Sequence, residues 1–152
     1  MPPTDRFSGE ETFAATPEKL FTTLTDLKAL AGSMPDVQSS EVVDDRTVRA
    51  VVRPGFSFLR GTMKVTVTLT DSEAPRRAVM RTSASGIGVG MEIEAKMTIE
   101  PHEGGRASRL LWEAAVLERK GLMSAVPSSL IQAAAEKTIR DGWTSLRKRV
   151  EG

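Results

Sequence analysis

The sequence predicts an α+β fold in which a curved, seven-stranded antiparallel sheet packs against one long C-terminal helix, in the order β-α-α-β6-α. Three observations predict it. Successive stretches between residues 37 and 116 alternate apolar and polar side chains with a period of two. Beyond Pro127 the apolar residues recur at helical spacing instead. Only a short strand and two short helical stretches precede this strand-rich middle.

Each element has its own signal. Residues 8–14 read as a short strand. Thr16-Pro17-Glu18 starts a helix, with a hydroxyl at the N-cap, Pro at the first helical position and an acid in the first turn. Leu20, Phe21, Leu24 and Leu27 follow at helical spacing. Asp26 caps a second short helix through Leu30, which Gly32 and Pro35 end. Residues 37–43 form a further strand. Val48, Ala50 and Val52 then alternate with polar or outward neighbours, as do Met63, Val65, Val67 and Leu69. Ala78, Met80, Thr82 and Ala84 repeat the pattern, followed by Met91, Ile93, Ala95, Met97 and Ile99. Leu110, Trp112, Ala114 and Val116 alternate less cleanly. Such regularity argues for an antiparallel sheet with one wet face and one covered face. Ser129 and Gln132 have capping-box spacing, and Ile131, Ala135, Ile139, Trp143, Leu146 and Val150 make the apolar stripe of the last helix. Arg140, Arg147, Lys148 and Arg149 lie off that stripe, and the last three suit the negative end of the helix dipole. A sheet with one apolar face needs a cover, and this helix is the element large enough.

Composition narrows the function. The 152 residues carry 21 Lys plus Arg against 20 Asp plus Glu, a net charge of +1, which gives no bulk field to hold nucleic acid. There is no Cys, so disulfides, thiolate nucleophiles, Fe–S clusters and Cys-containing zinc sites are excluded. One His leaves a single imidazole base and no multi-His metal site; no metal or cofactor is expected. The start of the chain lacks the apolar stretch of a secretory signal, and no window approaches the roughly 18 apolar residues of a membrane span. A single domain over residues 1–152, in the cytoplasm, is the expectation.

The two ends of the sheet differ in chemistry. In an up-and-down sheet alternate connections fall at the same end. One set, at residues 44–46, 71–77 and 101–106, consists of polar turns. The other set runs through residues 53–60, 86–90 and 119–127, and carries Phe56, Phe58, Leu59, Ile87, Val89, Leu122, Met123 and Val126. The loop around Met34 belongs at the same end. Apolar loop residues need a reason. Either they fold inward and plug the core, or they rim a cavity between sheet and helix. Arg53, Arg60, Arg119 and Lys120 flank them, a combination that also suits contact with an anionic membrane surface.

Candidate chemistry is sparse. His102 sits in a polar turn at the opposite end, out of reach of any such cavity. Glu92, Glu94 and Glu100 fall on the wet face, where cross-strand charge pairing accounts for them. Glu41, Glu113 and Glu118 lie on strands that alternate poorly, so one of them turned inward would be a desolvated carboxylate. The run Gly86 to Gly90 lacks the helix and the Lys of a phosphate loop and reads as a strand connection. Met63, Met80, Met91 and Met97 all fall on the inner face, where Met either fills a core or adapts to a ligand. Small inner residues such as Ala84, Ala95 and Ala114 face Ala134 and Ala135, leaving either close packing or a void, with Trp112 and Trp143 as walls.

The element order, together with Thr16-Pro17-Glu18-Lys19-Leu20-Phe21, Thr25 to Leu30 leading to Met34-Pro35, Gly61 to Val65 running to Asp71, Ala74-Pro75-Arg76, the Gly86–Gly90 turn and Ile99-Glu100-Pro101, resembles the helix-grip fold of the START-like (SRPBCC) superfamily. Within it the chain is most similar to the carbon monoxide dehydrogenase G-subunit family. The resemblance covers nearly the whole chain and carries no catalytic signature. It implies a hydrophobic cavity between sheet and helix, and association with oxidoreductases of the carbon monoxide dehydrogenase type and with their membrane or lipophilic electron carriers. The chain ends at Gly152 without an added hydrophobic tail, so the expected membrane contact is transient, at the inner face.

The leading expectation is therefore non-catalytic binding of a lipophilic small molecule, quinone- or lipid-like, by an accessory or carrier protein. The ligand would touch Met63, Val65, Val67, Met80, Thr82, Met91, Ile93, Trp112, Ala114, Ile131, Ala135 and Trp143. Met34, Phe56, Phe58, Ile87, Leu122 and Met123 would form the rim. A polyketide cyclase or aromatase on the same fold is the alternative, and would need acid–base groups in the cavity. A partner-binding module with a filled core is the third. Monomer and dimer both stay open.

Overall fold

The alternating stretches form the strands that their period requires. A computed structural model describes residues 5–33, 37–53, 61–86 and 88–151, with backbone alone at residues 5, 31–33, 122, 123, 134 and 138. The elements are β1 (Asp5–Phe13), α1 (Pro17–Leu24), α2 (Leu27–Ser33), β2 (Val37–Asp44), β3 (Thr47–Val52), β4 (Met63–Glu73), β5 (Arg77–Gly86), β6 (Val89–His102), β7 (Ala107–Gly121) and α3 (Ser128–Glu151). Short 3-10 turns at Glu103–Gly105 and Leu122–Ala125 flank β7. The seven strands make one antiparallel sheet in the order β1-β7-β6-β5-β4-β3-β2. This is the α+β architecture read from the sequence, with β1 and β2 as its free edges.

The helix starts follow their caps. The Thr16 hydroxyl accepts from the Lys19 backbone N–H at 3.2 Å, and Pro17 opens α1. Asp26 Oδ1 accepts from Ala29 N–H at 3.2 Å at the start of α2. We expect Thr16→Ala to lower unfolding free energy by about 1 kcal/mol, the usual value of one N-cap, in a urea titration. A change below a few tenths would mean that packing of Leu20 and Leu24 alone holds α1.

At α3 the structure departs from two expectations. Ser129 lies inside the first turn, because the helix begins at Ser128 and the Pro127 carbonyl accepts from Leu130 and Ile131 N–H. Gln132 reaches forward to Glu136 at 3.2 Å, so no capping box forms. Arg147 and Arg149 do more than complement the dipole. Arg147 donates to the Thr12 carbonyl at 3.2 Å and to Glu11 at 3.4 Å, and Arg149 donates to the Thr23 carbonyl at 3.1 Å. They fasten α3 to β1 and α1, the elements its backbone approaches most closely.

The core is densest at the polar-turn end. Phe13, Leu20, Val48, Leu110 and Val150 are essentially inaccessible there, packed with Leu69, Met80, Met97 and Ile99. The buried Ser108 hydroxyl donates to the Ala15 carbonyl at 2.7 Å, tying the β1–α1 connection to β7. On the convex face Glu10 pairs with Arg109 across the β1–β7 ladder, and the adjacent acid raises the guanidinium pKa.

Candidate functional site

Register decides which side chains share the concave face. The rows Val48–Val67–Thr82–Ile93–Val116 and Ala50–Val65–Ala84–Met91 run straight across the sheet. All nine sheet residues expected to touch a ligand lie on this helix-facing side. Ile131, Ala135 and Trp143 come from the facing stripe of α3.

The packing along that face is uneven. Val67 and Met80 are sealed into the large cluster at the polar-turn end. Ala114 and Ile131 are buried with Phe7 and Val116 under the start of α3. Met63 is buried with Val89 near the opposite end. Between these three clusters Val65, Thr82, Ala84, Met91, Ile93 and Ala95 are only half-buried, although they face the interior. The helix repeats the pattern: Ile131, Leu146 and Val150 are buried, while Ala135, Ile139 and Trp143 between them are half-buried. Helix and sheet are thus buried at both ends and partly accessible in the middle.

The tryptophans stand where these regions meet. Trp112 packs against two of the clusters, and its ring lies 6.0 Å from that of Trp143, tilted by 48°. Trp143 makes an edge contact with Phe13 at 6.4 Å, and the Arg147 guanidinium sits 4.8 Å from the centre of the Phe13 ring. Trp143 Nε1 is buried without a hydrogen-bond partner among the described residues. A buried unmatched donor is costly, typically about 1–3 kcal/mol, so it is a natural seat for a ligand acceptor.

The structure turns one charged residue inward that periodicity alone misplaces. A bulge in β7 lets Ile93 face Val116 and Glu92 face Glu118, with Leu117 extra. Arg119 therefore stands opposite Met91 on the concave face and donates to the Val126 carbonyl at 3.1 Å. Nothing in local sequence marks the bulge. Glu41, Glu113 and Glu118 are all exposed, and Glu118 pairs with Lys120 at 3.5 Å. The inward carboxylate that one of them could have supplied is not formed: the β7 bulge turns Glu118 outward, and β2 is exposed on both faces around Glu41. His102 is exposed at the end of β6.

Of the expected rim, Met34, Phe56, Phe58 and Ile87 lie outside the described residues, and Leu122 and Met123 are described by backbone alone. The connections they belong to do share one end, since Val37 pairs with Val52 and Val89 with Gly121. The glycine turns there are packed rather than loose. Gly121 has φ +62°, and a Cβ on it would stand 2.1 Å from the Gly88 carbonyl oxygen. Among the described residues no cluster of acidic or His side chains is arranged for a metal, and no helix is long and apolar enough to cross a membrane.

The family pattern for the carbon monoxide dehydrogenase G-subunit (CoxG) matches residues 9–151. The chain belongs to the CoxG family. Among solved structures, this CoxG-family chain is similar to a conserved protein from Geobacillus kaustophilus, with a TM-score of 0.87 and 17% identity over 97% of this chain and 95% of that one. A START superfamily protein from Mycobacterium smegmatis aligns with a TM-score of 0.73 and 17% identity, over 96% and 97% of the two chains. The Zhui aromatase/cyclase from a Streptomyces species aligns with a TM-score of 0.71 and 14% identity, over 97% and 93%. At these identities the likeness concerns the fold, and the fold is START-like. No curated protein sequence matches the chain.

Proposed function

We propose that this CoxG-family protein holds a lipophilic, quinone- or lipid-like molecule between its sheet and α3, without transforming it. The observation that carries the reading is the half-buried strip of Val65, Thr82, Ala84, Met91, Ile93 and Ala95 between three separate packed clusters. Partly accessible apolar surface gains about 25 cal/mol per Å² when a ligand covers it. The remaining expected contacts surround that strip, and the rim would be the connections through Phe56, Phe58 and Leu122. Membership of the CoxG family supports a role as accessory or carrier for an oxidoreductase of the carbon monoxide dehydrogenase type. The proposal includes transient contact of the apolar connections with the cytoplasmic side of a membrane.

Native mass spectrometry of the purified protein, beside solvent-extracted samples, tests this. A stoichiometric lipophilic molecule is expected, and Ala84→Leu, which enlarges the side chain between Val65 and Met91 in their cross-strand row, is expected to lose it while remaining folded. An empty protein that also ignores a panel of quinones and fatty acids would overturn the reading. A partner-binding role would then gain, because Val42 and Val43 are 52% and 41% exposed on the free edge strand β2. The cyclase alternative lacks the inward carboxylate that Glu41, Glu113 or Glu118 would have supplied.

A further inference from the structure

A recess lies on the flank of the molecule, along the seam between β1 and α3; Val65, Thr82, Ala84, Met91, Ile93 and Ala95 are not among its lining residues, whereas Trp112 and Trp143 are common to it and to the expected interior contacts. It encloses about 480 Å³ and its apolar floor is Phe7, Trp112, Ile139 and Trp143. Arg6 and Arg140 stand at its margin, one on the edge strand and one on the helix. Both are exposed, and neither forms an ion pair among the described residues. The carboxylates of the same groove are already engaged: Glu11 by Arg147, and Glu136 by the Gln132 amide. The groove thus has two exposed arginines among its lining residues, beside aromatic walls.

The walls have a usable geometry. Trp112 and Trp143 are tilted by 48° rather than stacked, so neither ring covers the other's face. Trp143 also carries a buried indole N–H that no group among the described residues accepts. Aromatic faces bind a flat ring, a guanidinium fork binds a carboxylate, and an unmatched donor asks for an acceptor. We propose that this groove is a second binding site, for a planar aromatic anion of the ring-carboxylate class. Its volume lies within the range of small-molecule sites, roughly 300–1,000 Å³. It shares Trp112 and Trp143 with the expected interior contacts but none of the strip from Val65 to Ala95.

The chain has two tryptophans, so a ¹⁵N–¹H spectrum carries two indole cross-peaks, which Trp143→Phe assigns. The test is a titration with 2-naphthoate beside the uncharged 2-naphthamide. We expect naphthoate to move the Trp143 Nε1–H peak downfield and to bind about tenfold more tightly than the amide, as a charge-assisted contact should. Arg140→Gln should erase that preference without weakening the amide. Ala84→Leu, which alters the strip but no residue lining this groove, should leave the naphthoate titration unchanged, so failure of the interior reading and failure of this one remain distinct. Equal affinity for the two probes, or a response confined to Thr82 and Ala84 and lost in Ala84→Leu, would overturn the proposal.

Discussion

Replacing Phe13 by alanine should lower unfolding free energy by about 3–5 kcal/mol, the largest effect of any single truncation considered for this fold. Phe13 ends β1 with no accessible surface, so its whole ring is lost from packed contact. Two further contacts go with it. The Trp143 edge loses its partner at 6.4 Å, and the Arg147 guanidinium loses the ring face 4.8 Å away. Arg147 holds β1 to α3 through the Thr12 carbonyl and Glu11, so loosening it weakens the clamp that positions the helix. The cavity cannot collapse easily, because β7 behind it is anchored by the Ser108–Ala15 hydrogen bond. Urea denaturation measures the loss. Phe13→Leu should cost far less, and a Phe13→Ala effect below about 1 kcal/mol would show that α3 is held independently of β1.

Substituting Gly9 is expected to act at a distance from its own backbone. Glycine inside a strand ordinarily weakens it by roughly 0.5–1 kcal/mol relative to alanine, so Gly9→Ala would be stabilising in open space. Here the sign reverses. Gly9 pairs directly with Trp112, and a Cβ would come 2.7–2.9 Å from three indole atoms. The indole therefore lies across the edge strand where only a glycine leaves room. Gly9→Val should displace the ring and cost about 1–3 kcal/mol, the range for overpacking. The near-ultraviolet circular dichroism of the tryptophans should change with it, and the flank groove should lose its naphthoate affinity. In the Trp112→Leu background the same substitution should become neutral or favourable. A stable Gly9→Val protein with unchanged tryptophan spectra would contradict this packing.

Much of the architecture was legible because it depends on periodicity. The strands from β3 to β6 alternate so regularly that a slip of one residue would expose every apolar side chain, and their observed registers keep Val67, Thr82 and Ile93 in one row. The Thr16 and Asp26 caps were equally readable, since each acts on backbone groups within three residues. The placement of nine expected contacts on the concave face and three on α3 follows from the same alternation. The helix start was misread by the Ser129–Gln132 spacing, because Gln132 found Glu136 instead. The inward turn of Arg119 had no local signal, since a bulge is a property of two paired strands. Glu41, Glu113 and Glu118 were ambiguous for the related reason that their strands carry weak alternation.

By itself the sequence determined the element order, the apolar face of each strand, the caps and the family, because these rest on short-range periodicity and on backbone hydrogen bonds closed within a turn. Only the tertiary structure decided how far α3 stands from the sheet, and the proposed sites lie there. Arg147, Arg149 and Phe13 draw the helix toward β1 and α1. That placement leaves Val65, Thr82 and Ala84 half-covered on one side and opens the groove beside Trp112, Trp143, Arg6 and Arg140 on the other. Such spaces are differences between packed surfaces distant in sequence, and no periodicity in one segment can encode them.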